Sequence, residues 1–363
     1  MTSFKNTYGR RSFLNKSSLS LASLAAMSFA EISTTGSVNE RKKKKLIPTL
    51  SGEIAYDKLG TTLMHEHILW FAGPMAENSN YDPIPDNLRL ESVDFAVSLL
   101  NDAARVGIAT IVDLTPHRPI DLYLQIAKRT PVKIIVSAGF YRRSKIPEWM
   151  ADMEDEKQMQ ELILKEVKEG INDTGFRAGI IKVAQEGASL TDWEKKVFRA
   201  AARVSKATGV PIATHTGNAI EQFNLLVKNG ADPHQILLSH VDVGRKGKPG
   251  DLLTIAKEGG YLEVDTFGQN FYTPWNELVD FLRSFCDAGF ANKVIISIDS
   301  NWHWEKGKKI FEGAGPPNFD PNAANRTFAY MITDAVPMLL KAGFGMKEVN
   351  TFLIDNPRNY FSM

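Results

Sequence analysis

From residue 47 onward, short apolar runs alternate with longer segments of helical period, and the alternation recurs eight times. The runs fall at 61–68, 109–114, 133–139, 179–184, 211–214, 236–239, 261–264 and 294–298, with helical periodicity most marked at 88–105, 191–208 and 218–229. Strands that alternate with helices in this way pair in parallel and must be covered on both faces. Several of the runs are apolar throughout, as strands buried on both faces should be. An open doubly wound sheet is the rival architecture, but no glycine-rich nucleotide turn follows the first run. The expected fold is therefore a single (β/α)8 TIM barrel over residues 47–363, with residues 47–58 forming a small N-terminal hairpin that closes its bottom. A chain of 363 residues suits one such barrel with extensions. Thr191 and Glu194 form a capping-box pattern, and Gly209-Val210-Pro211 stops that helix and starts the next strand.

The first 46 residues read differently. Arg10-Arg11-Ser12-Phe13-Leu14 is a twin-arginine pattern, followed by an apolar, small-residue run from Leu19 to Ala30. That run is too short to span a bilayer and fits the hydrophobic region of a signal peptide. Residues 1–30 are thus expected to be a twin-arginine signal peptide, cut after Ser28-Phe29-Ala30, and residues 31–46 a basic linker. Export to the periplasm or beyond, by the machinery that moves folded proteins, follows from that reading. These two segments carry about seven positive charges, so the remaining chain is mildly acidic although the net charge is +1. An acidic body without a basic stripe argues against nucleic-acid binding. The single cysteine, Cys286, excludes an internal disulfide framework and a thiolate metal cluster, and no stable membrane span is expected.

Barrel enzymes place their chemistry at the C-terminal ends of the strands. The first run ends His65-Glu66-His67, and residues two apart on a strand share a face, so both imidazoles should enter the mouth while Glu66 points away. Lys182 sits in the fourth run between Ile181 and Val183, where a bare ammonium is expensive. A snorkelling side chain is the plain alternative. The fifth run ends Thr214-His215-Thr216, the sixth Ser239-His240-Val241-Asp242, and the eighth Ser297-Ile298-Asp299-Ser300. Each is weak alone. Six polar groups at five strand ends in one phase point to one site.

The order His-x-His, Lys, His, His, Asp resembles that of the phosphotriesterase family of the amidohydrolase superfamily. The likeness extends to Leu59-Gly60-Thr61-Thr62-Leu63-Met64-His65-Glu66-His67, Pro211-Ile212-Ala213-Thr214-His215-Thr216 and Asp355-Asn356-Pro357-Arg358-Asn359-Tyr360-Phe361. It implies a binuclear metal-dependent hydrolase. His65, His67 and Asp299 would hold a buried divalent cation, His215 and His240 a more exposed one, and Lys182 would bridge them as a carboxylated lysine beside a bridging hydroxide. Asp299 would also take the proton released on attack. Zinc suits the nitrogen and carboxylate donors, and manganese or cobalt would also be accepted.

Pocket candidates are Tyr141, Arg142 and Arg143 after the third run, Asp265 after the seventh, and Trp302, His303 and Trp304 after the eighth. Asp265 could orient ligands or substrate or equally be a helix cap, and Tyr141, Arg142 and Arg143 could contact a carboxylate or phosphoryl group or equally form a solvated loop. His117 could line the mouth, while His234 reads as a surface residue. Two features depart from lactonase-like members of the family: Thr115-Pro116-His117-Arg118-Pro119 lacks their glycine-rich stretch, and Thr266 stands where they place arginine. The reaction class therefore transfers better than the substrate, a small ester, lactone or phosphotriester. A mononuclear amidohydrolase acting on an amide or a ring, and an exported barrel that binds without turnover, are the alternatives. A homodimer stays open as the assembly.

Overall fold

A computed structural model describes residues 45–69, 86–215, 217–300, 302–305, 308–311 and 326–363, with residues 86–87, 303–305 and 308–311 as backbone only. The expected signal peptide and nearly all of the basic linker lie outside the described residues. A hairpin of β1 (Leu46–Ile47) and β2 (Ile54–Ala55) is followed by eight parallel strands: β3 (Thr61–Glu66), β4 (Ile108–Asp113), β5 (Lys133–Gly139), β6 (Ile180–Lys182), β7 (Ile212–Ala213), β8 (Ile236–Leu238), β9 (Tyr261–Val264) and β10 (Val294–Ile296). They pair in sequence order, each with the next. Past the end of β10 the circle is drawn together by hydrogen bonds from Asp299 N–H to the His65 carbonyl (3.1 Å) and from His67 N–H to the Ser300 carbonyl (2.9 Å). An antiparallel hairpin of β11 (Trp302–Glu305) and β12 (Lys308–Phe311) lies in the segment after β10. Among the described residues no helix is long and apolar enough to cross a membrane.

The core has two layers, and strand alternation generates them. One buried cluster takes a residue from every barrel strand: Met64, Val112, Ile135, Ile180, Ala213, Leu237, Tyr261 and Ile295. This is the barrel interior, closed below by Ile47 of the hairpin and by Tyr360 and Phe361 of the C-terminal helix, Asn356–Ser362. The Tyr360 hydroxyl donates to the Ile212 carbonyl at 2.7 Å, which fixes that helix under the strands. Neighbouring residues such as Ile134, Val136, Ile181 and Leu238 point the other way and pack on the helices. The expected helix signals act as read. The Thr191 hydroxyl accepts from Glu194 N–H, the Glu194 carboxylate accepts from Thr191 N–H, and Gly209 ends the Asp192–Thr208 helix in left-handed backbone (φ 70°).

Gly139, at the end of β5, holds φ 116°, and a Cβ there would strike the Lys182 backbone carbonyl. Gly139→Ala should destabilise the fold by about 2–4 kcal/mol, combining left-handed strain with overpacking. Thermal melts of the variant check this, and a midpoint within a degree of wild type would contradict it.

Candidate metal centre

Alternation alone would not put His65 and His67 in the mouth. Met64 faces the interior, so an unbroken strand would turn Glu66 inward instead. A bulge between Leu63 and Glu66, where three residues of β3 advance against two of β4, reverses the phase. Both imidazoles then face inward. Glu66 faces outward and accepts from the Ser297 hydroxyl (2.8 Å) and from Ser300 N–H (2.7 Å), tying β3 to the end of β10. On β6, Ile180 and Lys182 share the inward face. Past β7, His215 stands two residues beyond the inward Ala213.

His240 and Asp299 reach the site by a different device. Ser239 already takes the inward position after Leu237, its hydroxyl donating to Glu263 at 2.6 Å. The next residue would point outward, but His240 adopts left-handed backbone (φ 57°) and returns its ring to the mouth. Asp299 does the same with φ 47°. Non-glycine residues held there cost free energy, and such outliers concentrate at functional sites.

The side chains converge closely. His65 Nδ1 lies 2.9 Å from Asp265 Oδ2 and 3.1 Å from Glu263 Oε2, which leaves Nε2 facing Lys182 Nζ at 3.2 Å and Asp299 Oδ1 at 3.8 Å. His67 Nδ1 meets the Thr115 hydroxyl at 2.7 Å, and its Nε2 stands 3.2 Å from Asp299 Oδ1. His240 gives Nδ1 to Asp265 Oδ1 at 2.7 Å and aims Nε2 at His215 Nδ1, 2.9 Å away. Asp265 thus orients two imidazoles with its two oxygens, the arrangement that fixes tautomers around a metal. Donor atoms of His65, His240 and Asp299 all lie within 4.8 Å of one another.

The electrostatics suit cation binding. Burial, reinforced by Lys182, holds the His65 imidazole well below its ordinary pKa. Burial and then the neighbouring His240 do the same for His215. Neutral rings present lone pairs. Burial would raise the Asp299 carboxyl, but His65, His67 and His240 outweigh it and keep the group ionised far below the usual range. Lys182 is completely buried, donates to the Thr214 carbonyl at 2.8 Å, and is drawn down to about 8 by burial. Neutral nitrogens at contact distance, an ionised carboxylate and a lysine with accessible free-amine form are a donor set that fits divalent cations.

Above this cluster opens a pocket lined among others by Arg142, Val243, Thr266, Gln269 and Tyr272. Of the sequence-derived pocket residues, Arg142 lines it, its guanidinium 2.6 Å from His215 Nε2, and Tyr141 touches the same ring, its hydroxyl 3.3 Å from that nitrogen. Arg143 does neither. It pairs with Glu154 at 2.7 Å and lies over the Trp193 ring. Asp265 lies beneath the site rather than in its wall. Trp302 is core rather than wall: it is 2% exposed, donates from Nε1 to the Ile68 carbonyl and packs edge-on against Phe95. The side chains of His303 and Trp304 lie outside the described residues. His117 packs against Trp149, and burial pulls it down to about 4, while exposed His234 pairs with Asp232. Cys286 is half-buried and burial pushes its thiol to about 12, which leaves no reactive thiolate.

Glu263 was missed, although a signal existed. It stands two residues before Asp265 on the same inward face, inside a run that otherwise reads as buried strand. Burial, followed by the charge of Asp265, raises its carboxyl to about 8. Val243, Gln269 and Tyr272 come from loops, whose residues carry no periodic signal.

The fold and the cluster at its mouth define a class, the barrel hydrolases that depend on divalent metal. Within it the chain belongs to the phosphotriesterase family, whose profile matches residues 45–361. A phosphotriesterase homology protein of Mycobacterium tuberculosis is 28% identical over 326 residues, covering 86% of this chain and 96% of that protein. An N-acetyltaurine hydrolase of Dictyostelium discoideum is 26% identical, covering 87% and 98% respectively. The solved organophosphorus hydrolase from Deinococcus radiodurans superposes with a TM-score of 0.76 at 29% identity, covering 88% of this chain and 98% of that one.

Proposed function

We propose that the protein is an exported binuclear metallohydrolase that cleaves a small carboxylic ester or lactone, with any phosphotriester turnover weak. One observation carries this reading: His65, His67, Lys182, His215, His240 and Asp299 converge at the strand ends, with the His65 and His240 rings oriented by Asp265 and the His67 ring held by Thr115. His65, His67 and Asp299 would hold one cation, His215 and His240 the other, with Lys182 between them as a carboxylate. Zinc is the expected metal. When bound, such cations polarise a carbonyl and lower the pKa of water from roughly 15.7 to about 7. Asp299, ionised beside His67, is placed to take the proton released on attack. The apolar Val243 and the Tyr272 ring offer a wall for the acyl or alcohol arm.

An amide is the second reading, favoured by the likeness to N-acetyltaurine hydrolases. Elemental analysis of active enzyme should give about two divalent ions per chain, and a kinetic panel of lactones, esters, amides and phosphotriesters ranks the substrates. One firmly bound ion in active enzyme removes the binuclear assignment. Phosphotriesters exceeding every acyl substrate in kcat/KM remove the ester assignment.

Export is tested separately. Replacing Arg10 and Arg11 together with lysine should retain the unprocessed chain in the cytoplasm, read by fractionation and immunoblot. Normal processing of that double variant excludes the twin-arginine route.

A further inference from the structure

We infer that Arg142 is the receptor for an anionic group, a carboxylate or sulfonate, carried by the substrate a few bonds from the scissile carbonyl. This rests on the hydrolase reading above and names its substrate class. Arg142 lines the pocket and its guanidinium faces the metal centre. Several arginines elsewhere on the barrel have carboxylate partners, Arg143 with Glu154, Arg199 with Glu156 and Arg283 with Glu348, and the buried Arg118 and Arg326 donate to backbone carbonyls. Arg142 has no carboxylate partner among the described residues. Its polar contact is Nη2 to His215 Nε2 at 2.6 Å, its charge stands beside the Tyr141 ring, and its Nε is buried without a hydrogen-bond partner.

That one contact cannot survive in the loaded site. His215 turns Nδ1 toward His240, the side on which a cation would be shared. A neutral imidazole that gives Nδ1 to a metal carries its proton on Nε2. A guanidinium has five donors and no acceptor, so an Nε2–H facing it is a donor against a donor. Tyr141, whose hydroxyl stands 3.3 Å from the same nitrogen, can accept that proton; Arg142 cannot. With a cation held by His215 and His240, Arg142 would lose its acceptor while still standing against the far edge of the His215 ring. A planar fork so placed is matched by a carboxylate or sulfonate. Thr266, Gln269 and Tyr272 line the same pocket as neutral groups, and its carboxylate, Asp299, is engaged by His67 and His65.

The test uses metal-replete full-length enzyme and two matched substrate pairs. The acyl-side pair is the para-nitrophenyl monoester of glutarate against para-nitrophenyl pentanoate. The leaving-side pair is N-acetyl-β-alanine against uncharged N-isopentylacetamide. Loss of a charge-assisted contact should cost about 10- to 100-fold. Arg142→Ala is therefore expected to lower kcat/KM for the anionic member of at least one pair about tenfold or more beyond its effect on the neutral member, mainly through KM, with Arg142→Lys restoring part of the difference. Binding is read independently by calorimetry: glutarate should bind wild type at least about tenfold more tightly than pentanoate, and Arg142→Ala should erase that preference. Equal losses on charged and neutral members, or an undiminished glutarate preference, would overturn the assignment. Metal content and turnover of the neutral ester by wild type report on the hydrolase reading itself. If wild type cleaves nothing, the calorimetry still decides the role of Arg142.

Discussion

Lys182→Ala is expected to lower hydrolytic activity by about three orders of magnitude or more, the several kcal/mol of charge stabilisation that a bridged metal pair supplies. The side chain is fully buried, with Ile181 and Val183 packed outward on either side and the amine 3.2 Å from His65 Nε2. An isolated ammonium would be costly there. Burial instead draws the amine down to about 8, so an appreciable free-amine fraction exists near neutral pH. Only the free amine can add CO2, and the resulting anion suits a position between two cations. Intact-protein mass spectrometry of the native holoenzyme should then show the mass of one added CO2, lost on acid denaturation. Two substitutions separate the bridge from the space it fills. Lys182→Ala leaves a cavity that a short carboxylate can enter, so propionate should restore part of the activity and metal content. Lys182→Met fills that cavity and should resist rescue. Activity in Lys182→Ala within tenfold of wild type would remove the bridging role.

How far the sequence disclosed this site depends on which physical rule each residue obeys. Lys182 and His215 follow strict strand alternation from Ile180 and Ala213, so a count along the sequence places them correctly. His65 and His67 were placed on the right face by their spacing of two, yet what puts that face inward is a bulge that no local pattern announces. His240 and Asp299 violate alternation through left-handed backbone, and what marked them was their position at the ends of apolar runs together with the family resemblance. Trp302 and Arg143 went the other way. Their residue types suggested a pocket wall, but the fate of an aromatic or an arginine after a strand is settled by long-range packing, here against Phe95 and Ile68 or Glu154 and Trp193. Glu263 was legible by the period-two rule already applied to the histidines. The barrel itself was readable because eight runs needed one solution, and the helix ends because caps are local chemistry.

Asp299→Asn should leave the fold intact and reduce kcat by about 10²- to 10⁴-fold, the range for removing a positioned general base. The substitution is nearly isosteric, and asparagine is among the residues that best tolerate the left-handed backbone this position holds. What it removes is charge. The wild-type oxygen lies 3.2 Å from His67 Nε2 and 3.8 Å from His65 Nε2, and those histidines keep the carboxyl ionised against the cost of burial. Because that pKa is depressed, the charge is present throughout the working range and is lost only as pH falls well below ordinary carboxylate values. An acid limb of kcat/KM near neutrality therefore belongs to other groups, and its midpoint should not move in Asp299→Glu. Asp299→Ala adds a second effect, since alanine pays about 1–2 kcal/mol for left-handed backbone. Both variants should lose kcat to a similar degree at saturating metal, while only Asp299→Ala melts several degrees lower. If Asp299→Asn keeps kcat within tenfold of wild type, the proton is taken elsewhere; if it melts as low as Asp299→Ala, the carboxylate's charge, rather than the backbone angle, is what the fold requires.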